Sequence, residues 1–454
     1  MTTSTTPTTE ALVIGGSMAG LVTARVLADH VDHVTVLERR AQPGVGASIA
    51  AQGRMLHALL EAGAAGLDRL FPGFRGELRA RGAVDGTPKN GRWWNEGYRV
   101  TLDSEVTAHA ASRGLIETTV RDRVTALANV TTAHGSPVSG LLTANGAVVG
   151  VHTPTGDLRA DLVVDCSGRS SKAAHWLTDA GLPSPRLEDV GVDVWYSQTV
   201  VAHHRDLVPD VEYILTQADP GPDPRTGAAV HIEGQQWIVV LGGYFGDRAP
   251  SDPDGFLAYA DTLAAPDIAT LLRRAGTIGD VITYNFRSSR RWHYETTPPP
   301  PGLLPLGDSM CSFNPLYGQG MTVAVLEALA LDALLDTHGL GADLPSRAVD
   351  AFSTIIDTPW QIAVGADLAY PRTTGTRTPI TRMSNAYGTR VLRATTIDPV
   401  VGHAMFEVQN LLARPSRLVR PHIVARTLLA QRAWRRNRAA MARATTPAPT
   451  RAHT

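Results

Sequence analysis

A glycine-rich turn between two short apolar strands constrains this chain more than any other feature. Residues 11–16 read Ala-Leu-Val-Ile-Gly-Gly, an apolar run stopped by glycine, which is the pattern of a short buried strand. Met18 to Asp29 carries Leu21, Ala24, Val26 and Leu27 at helical spacing, and Val34 to Leu37 forms a second apolar run ending in Glu38. Strand, turn, helix and strand within about 30 residues make a βαβ unit. In Gly15-Gly16-Ser17-Met18-Ala19-Gly20 the glycines permit a tight turn, and free N–H groups at the helix start suit a pyrophosphate. Glu38, 23 positions after Gly15, is placed to accept from a ribose hydroxyl, with Arg39 beside it. Ser17 stands where the usual G-x-G-x-x-G pattern has its middle glycine, and it is small enough to keep the backbone approachable. A glycine turn that holds no ligand is the plain alternative. By itself the segment says dinucleotide and does not separate FAD from NAD.

Length and charge exclude several classes. A chain of 454 residues, 43% of them hydrophobic, can build two or three units around sizeable cores. Two Cys allow one bridge at most, so a disulfide-stapled scaffold is excluded. A net charge of −1 gives no reason to expect nucleic acid as partner. The longest apolar helical stretch, Met321 to Leu335, is interrupted by Glu327 and Asp332, so no transmembrane segment is expected. The first ten residues are polar and Thr-rich, which implies a disordered leader without a signal core and a cytoplasmic location. Charge is unevenly spread. After Glu407 there are ten Arg and no acid; removing those ten from the net −1 leaves −11 on residues 1–407.

Helical spacing is expected over 54–81 with a break at Pro72-Gly73, over 115–126, over 254–275 and from Gly320 onward. Strands are expected at 93–102, in a hairpin of 148–153 with 158–164, and at 192–201, 212–216, 228–233, 237–244 and 303–306. The implied organisation is a discontinuous dinucleotide domain over 11–190 and 285–370, with 85–105 joining a substrate sheet. That sheet occupies 191–284, and a helical region with an Arg-rich tail covers 371–454.

Two later segments carry the chemistry. Gly307-Asp308 ends the strand Leu303 to Leu306 and leads into Ser312-Phe313-Asn314-Pro315-Leu316-Tyr317-Gly318-Gln319-Gly320-Met321 and a long helix. Asp165-Cys166-Ser167-Gly168-Arg169 ends a strand in the middle of the chain. In this order the segments resemble those of FAD-dependent monooxygenases of the p-hydroxybenzoate hydroxylase fold. The resemblance implies an α/β fold: an FAD-binding Rossmann-like domain, an inserted antiparallel substrate sheet and a helical C-terminal region. It gives Asp308 the ribityl chain and places Pro315, Gly318, Gly320 and Met321 at the flavin ring. It brings Asp165 and Gly168 near the pyrophosphate and Arg113 to the flavin side. Gln52, Arg54 and His57 also resemble a Q-x-R-x-x-H segment of relatives, although packing accounts for these three equally well.

Within the family, the run from Gly307 to Ala324, the segment GQQWIVVLGGYFGD and the later GADLAYP are most similar to the squalene-epoxidase-like branch. The nearest resemblance is to bacterial epoxidases of polyether-precursor polyenes. Those relatives carry basic residues in the loop before Gln52, whereas here it is apolar over 43–51. The resemblance implies oxygen transfer from a flavin C4a-hydroperoxide to a C=C bond of a small apolar substrate, using O2 and NADH or NADPH. Aromatic or indole hydroxylation is the runner-up; a double-bond reductase and a non-catalytic FAD-bound pathway protein stay open. The halogenase W-x-W-x-I-P segment is absent, and there is no second dinucleotide fingerprint. Nicotinamide would therefore visit transiently, or a flavin reductase would deliver the electrons. No H-x-x-x-H or C-x-x-C spacing supports a metal, and no G-x-S-x-G elbow supports a serine nucleophile. No acid–base dyad stands out as catalytic. Trp195, Tyr213, Trp237, Tyr244 and Phe245 are candidates for an apolar substrate pocket, with strand alternation deciding which face each takes.

Overall fold

The computed structural model describes residues 8–42, 55–57, 59–104, 106–204, 207–217 and 224–445. The 43–51 loop, Gln52 and Arg54 thus lie outside the described residues, as does most of the leader. The first strand, Glu10–Ile14, sits at the centre of a five-stranded parallel sheet ordered Leu303–Pro305, Leu162–Asp165, Glu10–Ile14, His33–Glu38, Val130–His134. Its inner residues Ala11, Val13, Val34, Val36 and Val163 are each 0% exposed, as a sheet covered on both faces demands. The parallel order brings the three motif-bearing strand ends side by side, at the carboxyl edge where open α/β sheets bind ligands.

The hairpin expected at 148–164 divides. Ala147–Thr153 pairs with Gly156–Arg159 in a small antiparallel sheet, and the chain then leaves that sheet to enter the parallel one at Leu162. The backbone N–H of Asp161 already bonds Glu10, which marks the crossing. The helix expected over 254–275 is two: Pro253–Ala260 ends at its C-cap Asp261, and Asp267–Ala275 starts anew after Pro266, which stands at its N-cap.

The second sheet has eight strands, ordered Cys311–Ser312, Ile282–Trp292, Leu187–Ala202, Gln236–Tyr244, Arg225–Ile232, Tyr213–Gln217, Gly91–Asn95, Tyr98–Arg99. Ile282–Trp292 has no counterpart in the sequence reading. Arg287, Arg290 and Arg291 obscure its pattern, and buried Arg291 is neutralised by Asp357 and Glu295. One sheet face packs Ile214, Trp237, Val239 and Leu241 against the helices Pro253–Ala260 and Asp267–Ala275. The other carries Val194, Tyr196, Ile238, Val240 and Phe286, with Tyr370 against them. Cys311–Ser312 pairs with Arg290–Arg291, which joins the segment after Asp308 to this sheet.

Helices Leu344–Asp367, Pro379–Thr395, Pro399–Gln409 and Pro421–Thr445 complete the chain. Thr378 and Asp398 cap their helices, each followed by proline at the first helical position. Ile423, Thr427, Ala430 and Trp434 of the last helix turn inward. No helix among the described residues is long and apolar enough to cross a membrane. No cluster of potential metal ligands occurs among the described residues.

Candidate functional site

A cleft of about 760 Å³ runs along the strand ends of the parallel sheet to the second sheet. Its floor begins at the glycine turn. Gly15 adopts φ +107°, and a Cβ there would stand 2.6 Å from the Cys166 carbonyl oxygen, so both turns can approach only because this residue is glycine. A Cβ on Gly20 would lie 1.8 Å from the Gly15 oxygen. Glu38 braces the turn: its Oε2 accepts from Gly16 N at 2.8 Å and its Oε1 from Arg40 N at 2.8 Å. Glu38 also lines the cleft.

Arg113 opens the helix Arg113–Thr125, capped by the Ser112 hydroxyl. It donates from Nη2 to Ser17 Oγ at 2.9 Å and from Nε to Glu117 Oε2 at 3.3 Å. Glu117 is 0% exposed and accepts from two further donors, the Ser17 hydroxyl at 3.2 Å and Arg121 at 2.6 Å. A buried carboxylate thus fixes a cleft-lining arginine. Across the cleft Arg169 donates to Ser312 Oγ at 2.7 Å and Ser288 Oγ at 3.0 Å, over the ring of Phe286. Asp308 lies on the wall between the two arginines; burial raises its carboxyl above the usual range, and Arg113 and Arg169 oppose the rise. Beneath it, fully buried Glu327 accepts from Gly307 N at 2.7 Å, and burial pushes its carboxyl up to about 8. Gly318 turns at φ +64°, and the helix Gly320–His338 then starts at the cleft. His57 is held near 3 by burial and by Arg113, so its ring is neutral. Its Nδ1 donates to the Met55 carbonyl at 2.7 Å, which leaves Nε2 an acceptor.

The cleft wall collects Gly15, Ser17, Met18, Ala19, Glu38, Arg39, Arg113, Gly168, Asp308, Pro315, Gly318, Gly320 and Met321. Two residues expected there are elsewhere. Gly20 serves helix–turn packing, since any side chain would strike Gly15. Asp165 is 0% exposed and spends its carboxylate on Ser167 N, Ser167 Oγ and Ser171 Oγ, shaping the turn from behind.

None of the five substrate candidates lines this cleft. Trp237 is 0% exposed in the core under the two helices, bonded to His203. Trp195 takes the opposite face to Tyr196, beneath Arg248. Tyr213 stacks over Gly91, where a Cβ would lie 1.9 Å from its ring, and lines a separate cavity of about 310 Å³. Tyr244 and Phe245 pack with Tyr370 on the sheet face that looks toward the cleft. The bulge between Gly191 and Val194, with Asp193 at φ +47°, interrupts the alternation of the strand that carries Trp195. The sequence reading missed the cleft residues Tyr284, Phe286, Arg290 and Asn314. Asn314, beside Pro315 in a quoted motif, was the one findable from sequence.

The composition of the wall suits FAD. Six cations (Arg39, Arg40, Arg113, Arg169, Lys172 and Arg290) face two acids (Glu38 and Asp308), an excess that would balance a diphosphate. Apolar Leu56, Phe286 and Phe313 line the same space as Asn314, Pro315, Gly318, Gln319, Gly320 and Met321.

Comparisons with known proteins agree. Residues 13–68 match the model of an NAD(P)-binding Rossmann-like domain. The chain is 30% identical to Protein Rv3254 of Mycobacterium tuberculosis over 89% of its length and 90% of that protein. It is 26% identical to the mitochondrial squalene epoxidase 2 of Arabidopsis thaliana, across 76% of this chain and 57% of that one. It is also 26% identical to 6-methylpretetramide 4-monooxygenase of Streptomyces rimosus, across 76% and 79%. The structure of 2-methyl-3-hydroxypyridine-5-carboxylic acid oxygenase superposes with TM-score 0.61 at 18% identity, covering 80% of this chain and 90% of that one. The chain therefore belongs, in one family with Protein Rv3254, to the FAD-dependent monooxygenases of the p-hydroxybenzoate hydroxylase fold.

Proposed function

We propose that the enzyme inserts one atom of O2 into a C=C bond of an apolar natural-product intermediate, forming an epoxide. The second oxygen atom leaves as water, and NADH or NADPH supplies the two electrons, directly or through a flavin reductase. Bound FAD, once reduced, supplies the activation of O2. The residues do the rest. Glu38 and the glycine turn would hold the adenosine and diphosphate end, and Asp308 the ribityl chain. The N–H groups at the start of the helix Gly320–His338 would stabilise negative charge near the ring. Leu56, Phe286 and Phe313 would keep water from the reacting face.

The observation that carries the choice of an alkene is the placement of the cleft's titratable groups. Among the described lining residues His57 is the only histidine and is bonded to the Met55 carbonyl, Glu38 braces the glycine turn, and Asp308 lies between two arginines. Hydroxylating a phenol benefits from a group that takes the substrate proton, and His57, held near 3, is a poor base at neutral pH. Epoxidation needs no such group. Aromatic hydroxylation remains the second reading, favoured by Arg290 and Tyr284 on the cleft wall, which could pair with a phenolate. The test is NAD(P)H oxidation by the FAD-loaded protein in air, with squalene and shorter polyenes against a panel of phenols. Stimulation by polyenes with epoxide as product supports the proposal; stimulation by phenols alone, with hydroxylated product, replaces it with the second reading.

A further inference from the structure

The turn that carries Pro315 is fastened from behind by a buried network joining three parts of the chain. Asn314 Nδ2 donates to both oxygens of Asp367, at 3.1 and 3.3 Å, and the Tyr317 hydroxyl donates to Asp367 Oδ1 at 3.3 Å. Asn314 Oδ1 accepts from Leu316 N at 3.2 Å and from the Tyr196 hydroxyl. Asn314 and Asp367 are 0% exposed, and Tyr196 is 5% exposed. Tyr196 belongs to the substrate sheet, and Asp367 ends the helix Leu344–Asp367.

The donor directions follow from one group. An ionised carboxylate only accepts, so it turns the Asn314 amide nitrogen toward itself. The amide oxygen must then face Leu316 N–H and the Tyr196 hydroxyl, which closes the turn Pro315–Tyr317 and ties it to the sheet. We propose that Asp367 is a positioning residue: its carboxylate orients Asn314 and so sets where the flavin-ring loop stands relative to the substrate sheet. The proposal rests on the flavin site and is independent of which substrate is oxygenated.

No described cation touches Asp367, and the side chains facing it are neutral: Asn314 and Tyr317 by hydrogen bond, with Tyr196, Tyr244 and Tyr370 around them. Burial accordingly raises its carboxyl to about 7. Opening of the turn alone leaves Asp367 buried but removes the Asn314 and Tyr317 donors that favour its charged form. The opened turn therefore binds the proton more tightly and acid favours it, although acid stabilises the fold as a whole.

The test is hydrogen exchange, read by mass spectrometry on the peptide covering 313–319 in the FAD-loaded protein, from pH 8 to pH 5. After correction for intrinsic rates, the wild-type peptide should exchange about tenfold faster at pH 5 than at pH 8, the cost of one weakened buried hydrogen bond. Asp367→Asn should be fast at every pH and lack the transition. A wild-type peptide equally protected at both ends of the range would overturn the proposal, and that arm stands even if the variant fails to fold. Flavin absorbance reports separately on the cofactor site, because protein that cannot retain FAD would count against that site rather than against the carboxylate lock.

Discussion

Asp308 and Gly20 show how differently residues of two cofactor-binding segments can act. Asp308 stands on the wall between Arg113 and Arg169, where it can meet a hydroxyl of the cofactor chain. Asp308→Ala should weaken FAD binding by about 30- to 100-fold, the cost of a lost charged hydrogen bond, read by fluorescence titration of apoprotein. An unchanged affinity would remove Asp308 from the site. Gly20 touches no ligand space, yet its Cα faces the Gly15 oxygen so closely that no Cβ fits. Gly20→Ala should lower stability by about 1–3 kcal/mol and weaken FAD binding only as far as the turn moves, checked by denaturant unfolding. Sequence could place each residue in its segment, Gly20 by the local spacing of the glycine turn and Asp308 through the family resemblance. It could not divide their duties, since Gly20 packs against an oxygen and Asp165 caps serines, contacts that spacing does not encode.

At the scale of elements the substrate sheet turns on parity. Ala228 and Ala229 are neighbours in the strand Arg225–Ile232 but face opposite ways. Ala228 pairs with Val240 on the face toward the flavin unit and is half-buried; Ala229 is 0% exposed beneath the covering helices. Ala228→Trp should raise KM for the substrate about tenfold or more, roughly 1.4 kcal/mol of lost binding, with FAD affinity unchanged. Ala229→Trp should instead destabilise the fold by 1–3 kcal/mol or about that range, through overpacking. Equal effects on KM would mean that the substrate lies elsewhere. Most of these strands are legible as apolar runs bounded by glycine and proline. Their facing is not, because which parity is inner depends on what covers each face, and the bulge at Gly191 to Val194 shifts one strand's register. The Arg-rich strand Ile282–Trp292 has its buried Arg291 neutralised by Glu295 and by Asp357, which is remote in sequence.

Over the whole molecule, two fully buried carboxyls contribute to the pH dependence of stability. Glu327 is raised to about 8 and Asp367 to about 7, both by burial. Their unfolded values lie near 4, so between about 4 and 7 the folded state holds protons that the unfolded state has released. Their contribution to stability should therefore fall as pH rises through that window, by up to about 1.4 kcal/mol per pH unit for each group, while His57, held near 3, contributes with the opposite sign below about 6.5. Glu327→Gln and Asp367→Asn should each flatten the fall, as seen in denaturant midpoints from pH 5 to pH 8; parallel curves would contradict the buried-acid account. Neither acid was visible as special in the sequence, for each is defined by what folds around it. The most direct test of the function is an 18O2 experiment with FAD-loaded enzyme, NADPH and a polyene such as squalene, followed by mass spectrometry of the product. The account expects an epoxide carrying one labelled oxygen atom. A product that had gained two hydrogens and no label, or oxygen derived only from water, would contradict it.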